Sequence, residues 1–291
     1  MRLLSCVMVT TIIASAAMVS HGQVPVPPGY KVKKGKDDKG RDVQYARTGH
    51  VTNYDESKVK PYTLPDPLTL ANGTPVRDAD TWLKKRRPEI LEMFRTEYIG
   101  HVPANAPQVK WEVASTDPKA KGGSTIMKKI LGRIGDKADG PRINLTIYVP
   151  AKATAPVPVI LTVGGGPTTD ILARGWAHAT FSNTDIQPDR NNAYHLGVIG
   201  MTLKKGQTEP APHEWRAKSA WAWGVSRVVD YLLSDKAIDG MCIAVQGHSR
   251  LGTTALWAGA QDERIAVVFA SCSGESGASL ARRDFGSTID D

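Results

Sequence analysis

The sequence predicts an α/β fold, a mainly parallel sheet with helices on both faces. Three observations carry this. Strand-like runs alternate with helix-like runs through the second half of the chain. Two of the strand-like runs, Val157–Val163 and Cys242–Gln246, are mainly apolar without alternation, as strands buried on both faces are. Both lead straight into glycine, at Gly164-Gly165-Gly166 and at Gly247. In such a sheet the active groups lie at the carboxyl ends of the strands.

In chain order, Met1–Gly22 reads as a leader. Arg2 gives a short positive start, Leu3–Val19 is nearly all apolar, and Ser20-His21-Gly22 offers small residues for cleavage before Gln23. The mature chain is therefore expected to be secreted or periplasmic. No later run is long enough to span a bilayer, so no membrane association is expected after cleavage. Residues 23–60 are rich in Pro, Gly, Lys and Asp, lack periodicity, and read as a poorly ordered arm or linker. Residues 61–291 read as the folded domain.

Tyr62–Leu68 is extended and fixed by prolines. Asp80–Arg86 and Pro88–Tyr98 predict two short helices, with Pro88 at a first helical position and Gly100 as the stop. Val109, Trp111 and Val113 alternate with polar residues, as do Ile143, Leu145, Ile147 and Val149, so both stretches predict half-buried strands. Further strands are expected at Val157–Val163, Trp176–Phe181, Cys242–Gln246 and Ile265–Ser271, with helices near Thr169–Ala173, Trp215–Leu233 and Thr253–Ala260.

The formal net charge is +8, of which a leader carrying only Arg2 would remove one. The excess is spread over the chain, no nucleic-acid-binding motif accompanies it, and no nucleic-acid partner is expected. Among the three cysteines, Cys6 falls in the leader. Cys242 begins one expected strand and Cys272 ends the next, roughly 15–20 Å apart, whereas a disulfide needs Cα atoms within about 7 Å. Two buried free thiols are expected, with no metal site.

The chemistry concentrates in Gly247-His248-Ser249-Arg250-Leu251-Gly252. A buried strand, a tight glycine-flanked turn tipped by serine, and a helix make the nucleophile elbow of α/β-hydrolases. The serine hydroxyl stands above the sheet, and the helix N-terminus lies beneath any oxyanion formed there. Gly164–Gly166 could add a backbone N–H to that oxyanion or be a plain turn. The bland alternative for the elbow is a βα turn whose serine caps the helix.

The elbow, followed by Ala255–Arg264, resembles the glucuronoyl esterases, carbohydrate esterase family fifteen. Ser219–Arg227, Asp230-Tyr231-Leu232, Gly206–Pro212, Asn53–Glu56, Tyr62–Leu68 and Lys85–Leu91 are similar to stretches of its bacterial members. The resemblance implies a secreted α/β-hydrolase domain with no cofactor, acting on esters between 4-O-methyl-glucuronic acid on xylan and lignin alcohols. Ser249 matches the nucleophile and Arg250 an oxyanion stabiliser.

Three departures accompany it. Thr253 stands where the family has a lysine thought to contact sugar hydroxyls, and is by that position a candidate substrate-binding residue, though too short to replace the lysine. Cys272 stands where the family often has its acid, which leaves Glu275 as the nearby candidate acid. All seven histidines precede Ser249, while the order in this fold is Ser, acid, His, so the C-terminal part of the domain is expected to be missing. His248 is a candidate pocket-lining residue, and His178 reads as structural. The leading expectation is a serine esterase for glucuronoxylan. The alternatives are an acetylxylan-type or other carbohydrate esterase, and a degenerate binding protein on the same fold.

Overall fold

The computed structural model describes residues 29, 31–36, 40–46, 49–59, 61–137 and 139–279. The expected leader lies outside them. The chain divides into two compact units, Met1–Leu64 with Gly274–Asp291, and Pro65–Ser273.

In the first unit, strands β1 (Lys33–Lys36), β2 (Asp42–Tyr45) and β3 (Val51–Thr52) form an antiparallel sheet. This is the stretch that showed no periodicity. Its strands are two to four residues long and mostly charged or polar, too short to display a period.

The second unit holds a seven-stranded sheet built from β4 (Val109–Lys119), β5 (Thr125–Ile134), β6 (Arg142–Pro150), β7 (Val157–Val163), β8 (Ala177–Phe181), β9 (Ile238–His248) and β10 (Val267–Ser271), in the order β10-β9-β7-β8-β6-β5-β4. The half from β8 to β10 is parallel and the half from β4 to β8 antiparallel. The expected strands are present. In β8 the successive residues Ala177, His178 and Ala179 are all 0% exposed. Neighbouring residues of a strand point to opposite faces, so both faces of the sheet are covered there.

β5 was not legible in the sequence. Lys128 and Lys129 interrupt its alternation, but Lys128 turns inward, and its Nζ reaches both carboxylate oxygens of Asp235 at 2.7 and 2.8 Å.

The two helices expected around Pro88 are one helical run, α1 (79–99). It alternates α-helical Ala79–Thr81 and Arg87–Phe94 with π-helical Trp82–Arg86 and Arg95–Ile99. The wide turn before Pro88 relieves the clash its ring makes with the preceding turn of an α-helix. Helices α2 (Thr169–Ala173), α3 (Gly197–Gly200), α4 (Ala217–Ser234) and α5 (Arg250–Gln261) follow. The face of α4 expected to be buried, Trp221, Val225, Val228, Val229 and Leu232, is at most 1% exposed.

The cysteine expectation is corrected on two points. Cys242 is half-buried and disulfide-bonded. Cys272 is free but exposed. The two do not join each other, since the parallel register pairs Ser271 with His248 and leaves Cys242 near the other end of β9. The spacing argument tested only that one pairing.

Candidate active site

The chain goes from β7 to β8 on one side of β7 and from β9 to β10 on the other. β7 and β9 are therefore the neighbours at which the strand order reverses, and a crevice opens beyond their carboxyl ends. Val163-Gly164 ends one and His248-Ser249 the other.

Ser249 sits at the tip of the turn with φ 56° and ψ −130°. This is strained backbone for a residue with a Cβ, costing of order 1–3 kcal/mol, and such strain persists where the surroundings over-determine it. Here they do. Ser249 N–H donates to the Ser271 carbonyl at 2.8 Å, and the Ser249 carbonyl accepts from Gly252 N–H at 2.7 Å and Thr253 N–H at 3.2 Å. A Cβ at Gly247 would overlap the Leu251 carbonyl, and one at Gly252 would lie 3.0 Å from the Ser271 carbonyl oxygen. The turn thus admits only glycine at 247, as the sequence implied.

The N–H groups of Arg250 and Leu251, at the start of α5, have no acceptor among the described residues. They face outward at the helix N-terminus, beside the serine. Across the crevice, Gly164 has φ 83°, and a Cβ there would overlap Leu251 Cδ1. The glycine loop therefore lies against the first turn of α5. Gly164 N–H is already given to the Phe181 carbonyl at 2.9 Å. The exposed Gly165 and Gly166 have no such acceptor among the described residues, and they are the loop's open donors.

Arg250 projects from the elbow with its side chain 60% exposed, and Nη1 donates to Asp189 Oδ1 at 3.1 Å. Lys218, half-buried on the first turn of α4, is held below the usual lysine range by burial first and by Arg250 second, with Asp189 opposing. Two cations and one carboxylate thus act on one another at the elbow's arginine. Sequence reasoning named only Arg250 of these three. Asp189 and Lys218 arrive from distant segments, with no spacing signal linking them to the elbow.

His248 is exposed, and its Nδ1 lies 3.3 Å from Ser271 Oγ. Cys272 follows the end of β10 with φ 51°, and its Sγ accepts from Ser271 Oγ at 3.7 Å. Thr253 is 3% exposed, and its Oγ1 donates to the Ser273 carbonyl at 3.2 Å. Its hydroxyl points into the fold beneath the elbow. Glu275, 8% exposed, belongs to the first compact unit.

Beneath the crevice runs a buried polar row across three strands. Gln246 Nε2 donates to Thr162 Oγ1 at 2.7 Å, which lies 2.8 Å from His178 Nε2. Thr180 Oγ1 donates to the Thr162 carbonyl at 3.1 Å. His178 is 0% exposed, its Nδ1 has no partner among the described residues, and burial, then the charge of Lys121, pushes it down to about 4. It is a neutral structural histidine, as the sequence suggested. Ser249 Oγ has no hydrogen-bond partner among the described residues. These also contain no cluster of three metal-ligating side chains and no helix long and apolar enough to cross a membrane.

A family model described as "Glucuronyl esterase, fungi" matches residues 134–285. A carbohydrate esterase from an unknown prokaryotic organism is 36% identical, covering 81% of this chain and 64% of its own length. The 4-O-methyl-glucuronoyl methylesterase of Cerrena unicolor is 34% identical, covering 78% of this chain and 44% of its own. The chain thus spans about two thirds or less of the length of these relatives. The solved structure of a glucuronoyl esterase from Solibacter usitatus superposes with a TM-score of 0.75 at 39% identity, covering 79% of this chain and 69% of that one. Elbow, sheet order and sequence agree, and the chain belongs to the glucuronoyl esterase family of α/β-hydrolase fold.

Proposed function

We propose that the protein is a secreted serine esterase that cleaves esters of 4-O-methyl-glucuronic acid, with glucuronoxylan as the polymer that carries them. The observation that supports this best is Ser249. It stands at a strained tip, followed directly by the open N–H groups of Arg250 and Leu251 at the start of α5, with the Gly164 loop packed on Leu251 and the exposed Arg250 side chain next in sequence. The relatives' names supply the ester class.

In this reading Ser249 Oγ attacks the uronate ester carbonyl while a general base takes its proton. The carbonyl oxygen gains negative charge and is met by the N–H groups at the start of α5 and by Arg250. The alcohol leaves with a proton, and water then frees the uronic acid from the acyl-serine. Glu275 is the candidate acid of the triad. No cofactor enters any step.

The test measures hydrolysis of a methyl ester of 4-O-methyl-glucuronate by the full gene product and by Ser249→Ala. Turnover that Ser249→Ala abolishes supports the reading. Turnover that survives in Ser249→Ala overturns the assignment of the nucleophile. Faster cleavage of acetyl esters than of uronate esters points to an acetylxylan-type esterase instead. A second reading, a fold kept for binding without turnover, is favoured by a thiol at Cys272 where the family often has its acid. Saturable binding of the uronate ester with no hydrolysis would establish it.

A further inference from the structure

We infer that Asp189 is a positioning residue for Arg250, holding its guanidinium at the elbow so that the remaining N–H groups serve the reacting carbonyl. The inference rests on the esterase reading and adds a residue that neither the elbow motif nor the spacing of the chain points to.

Arg250 needs an anchor. Its side chain is 60% exposed. A loose arginine gives up rotamer freedom when it is fixed. An oxyanion donor works by being in place before the charge develops, so that freedom is better lost in the resting enzyme. One carboxylate does this here. Asp189 Oδ1 takes Nη1 at 3.1 Å, and its side chain is only 29% exposed. The contact is single. Nε and Nη2 of Arg250 have no acceptor among the described residues, so the fork is anchored at one prong and open at the others.

An anchor must itself be fixed, and Asp189 is. It lies two residues after Gln187, which is 1% exposed. The Gln187 amide ties both ends of the loop together, with Nε2 donating to the Ala193 carbonyl at 2.9 Å and Oε1 accepting from Ile199 N–H at 3.1 Å. The Gln187 carbonyl accepts from Trp221 Nε1 of α4 at 2.9 Å. Pro188 fixes one more backbone angle between this bolt and Asp189. A surface ion pair with two floppy partners is worth almost nothing. This pair has one rigid partner and one working partner.

The charges agree. Arg250 and Lys218 are like charges close enough to act on each other, and Asp189 acts favourably on Lys218 as well. Without Asp189 the two cations repel, and the exposed Arg250 is the one free to swing away into water.

The experiment is a double-mutant cycle on the full gene product, with kcat and KM measured on the uronate methyl ester. Asp189→Ala should lower kcat about tenfold with KM changed by less than about twofold, since a loosened donor keeps part of the ~10²–10³ such a donor contributes. Asp189→Asn should recover most of the loss, because its amide oxygen still accepts from Nη1. In an Arg250→Ala background, Asp189→Ala should cost nothing further. Losses that add in the cycle, or an unchanged kcat, overturn the inference.

A second measurement does not depend on turnover. The ¹⁵N relaxation of Arg250 Nε–H should report a rigid group in the parent protein and a mobile one in Asp189→Ala. Equal mobility in both overturns the inference whatever the enzyme does. No turnover of the uronate ester by the parent protein would overturn the esterase reading alone, and would leave the mobility of Arg250 as the test of Asp189.

Discussion

Acidification should weaken this fold through one residue, His178. In the folded chain its imidazole is held down to about 4 by burial and by Lys121. In the unfolded chain it takes a proton near the ordinary histidine value of about 6.5. Above that value neither state is protonated at this site, and it adds no pH dependence. As pH falls below it, the unfolded state binds a proton that the folded state refuses, so stability falls by about 1.4 kcal/mol per unit until the folded imidazole also titrates. The loss by pH 4.5 is about 2–3 kcal/mol, a large part of a typical domain's stability. The structure gives the reason. Nε2 is committed to Thr162, and Nδ1 has no acceptor to receive a second N–H. The assay is urea unfolding of the parent and of His178→Gln at pH 7.5 and 4.5. Carboxylates elsewhere affect both alike, so only the difference between the proteins counts. The parent should lose about 2–3 kcal/mol more than the variant. Equal losses would mean that His178 accepts its proton inside the fold, and the reasoning from burial would be refuted.

Four further outcomes are expected. Ser249→Gly should abolish ester cleavage yet raise stability by about 1 kcal/mol, because glycine relieves the strained φ of 56°; a loss of stability in urea unfolding would deny the strain. Gly247→Ala should cost about 3 kcal/mol or more, because its Cβ meets the Leu251 carbonyl; a melting temperature equal to the parent's would show that the turn is looser than described. Arg250→Ala should lower kcat by ~10²–10³ with KM little changed, and a change confined to KM would make Arg250 a ground-state contact. Thr253→Val should cost about 1 kcal/mol for the lost bond to the Ser273 carbonyl, with the ratio of uronate to acetyl ester cleavage unchanged; a fall in that ratio would restore Thr253 as a sugar contact.

What could be read in the sequence was what is decided locally. Val157–Val163 and Ile143–Val149 announced themselves because their packing demands apolar residues at nearly every position or at every second one. The elbow was legible because a strand-to-helix reversal around Ser249 needs glycine within a few residues on either side. β5 was hidden because Lys128 answers to Asp235, more than a hundred residues away. Asp189 was hidden for the same reason, since its partner Arg250 stands 61 positions further on. Thr253 shows the limit of arguing by position. Its place after the elbow glycine is plain in the sequence, while its depth depends on Ser273 and the end of β10. The fate of Cys242 was likewise out of reach of a spacing argument confined to one partner.

The mixed sheet also sets an order in time. β4, β5 and β6 pair in succession through short turns, so their contacts close small loops. β7 and β9 pair only after some seventy-five intervening residues have been placed, with α4 among them. Closing such a loop costs entropy before any contact repays it. The antiparallel half can therefore stand as a template while the parallel half is still unformed. It follows that the crevice between β7 and β9, with Ser249 at its rim, is assembled late. Substitutions in β5 should slow folding, while those at the elbow should mainly hasten unfolding.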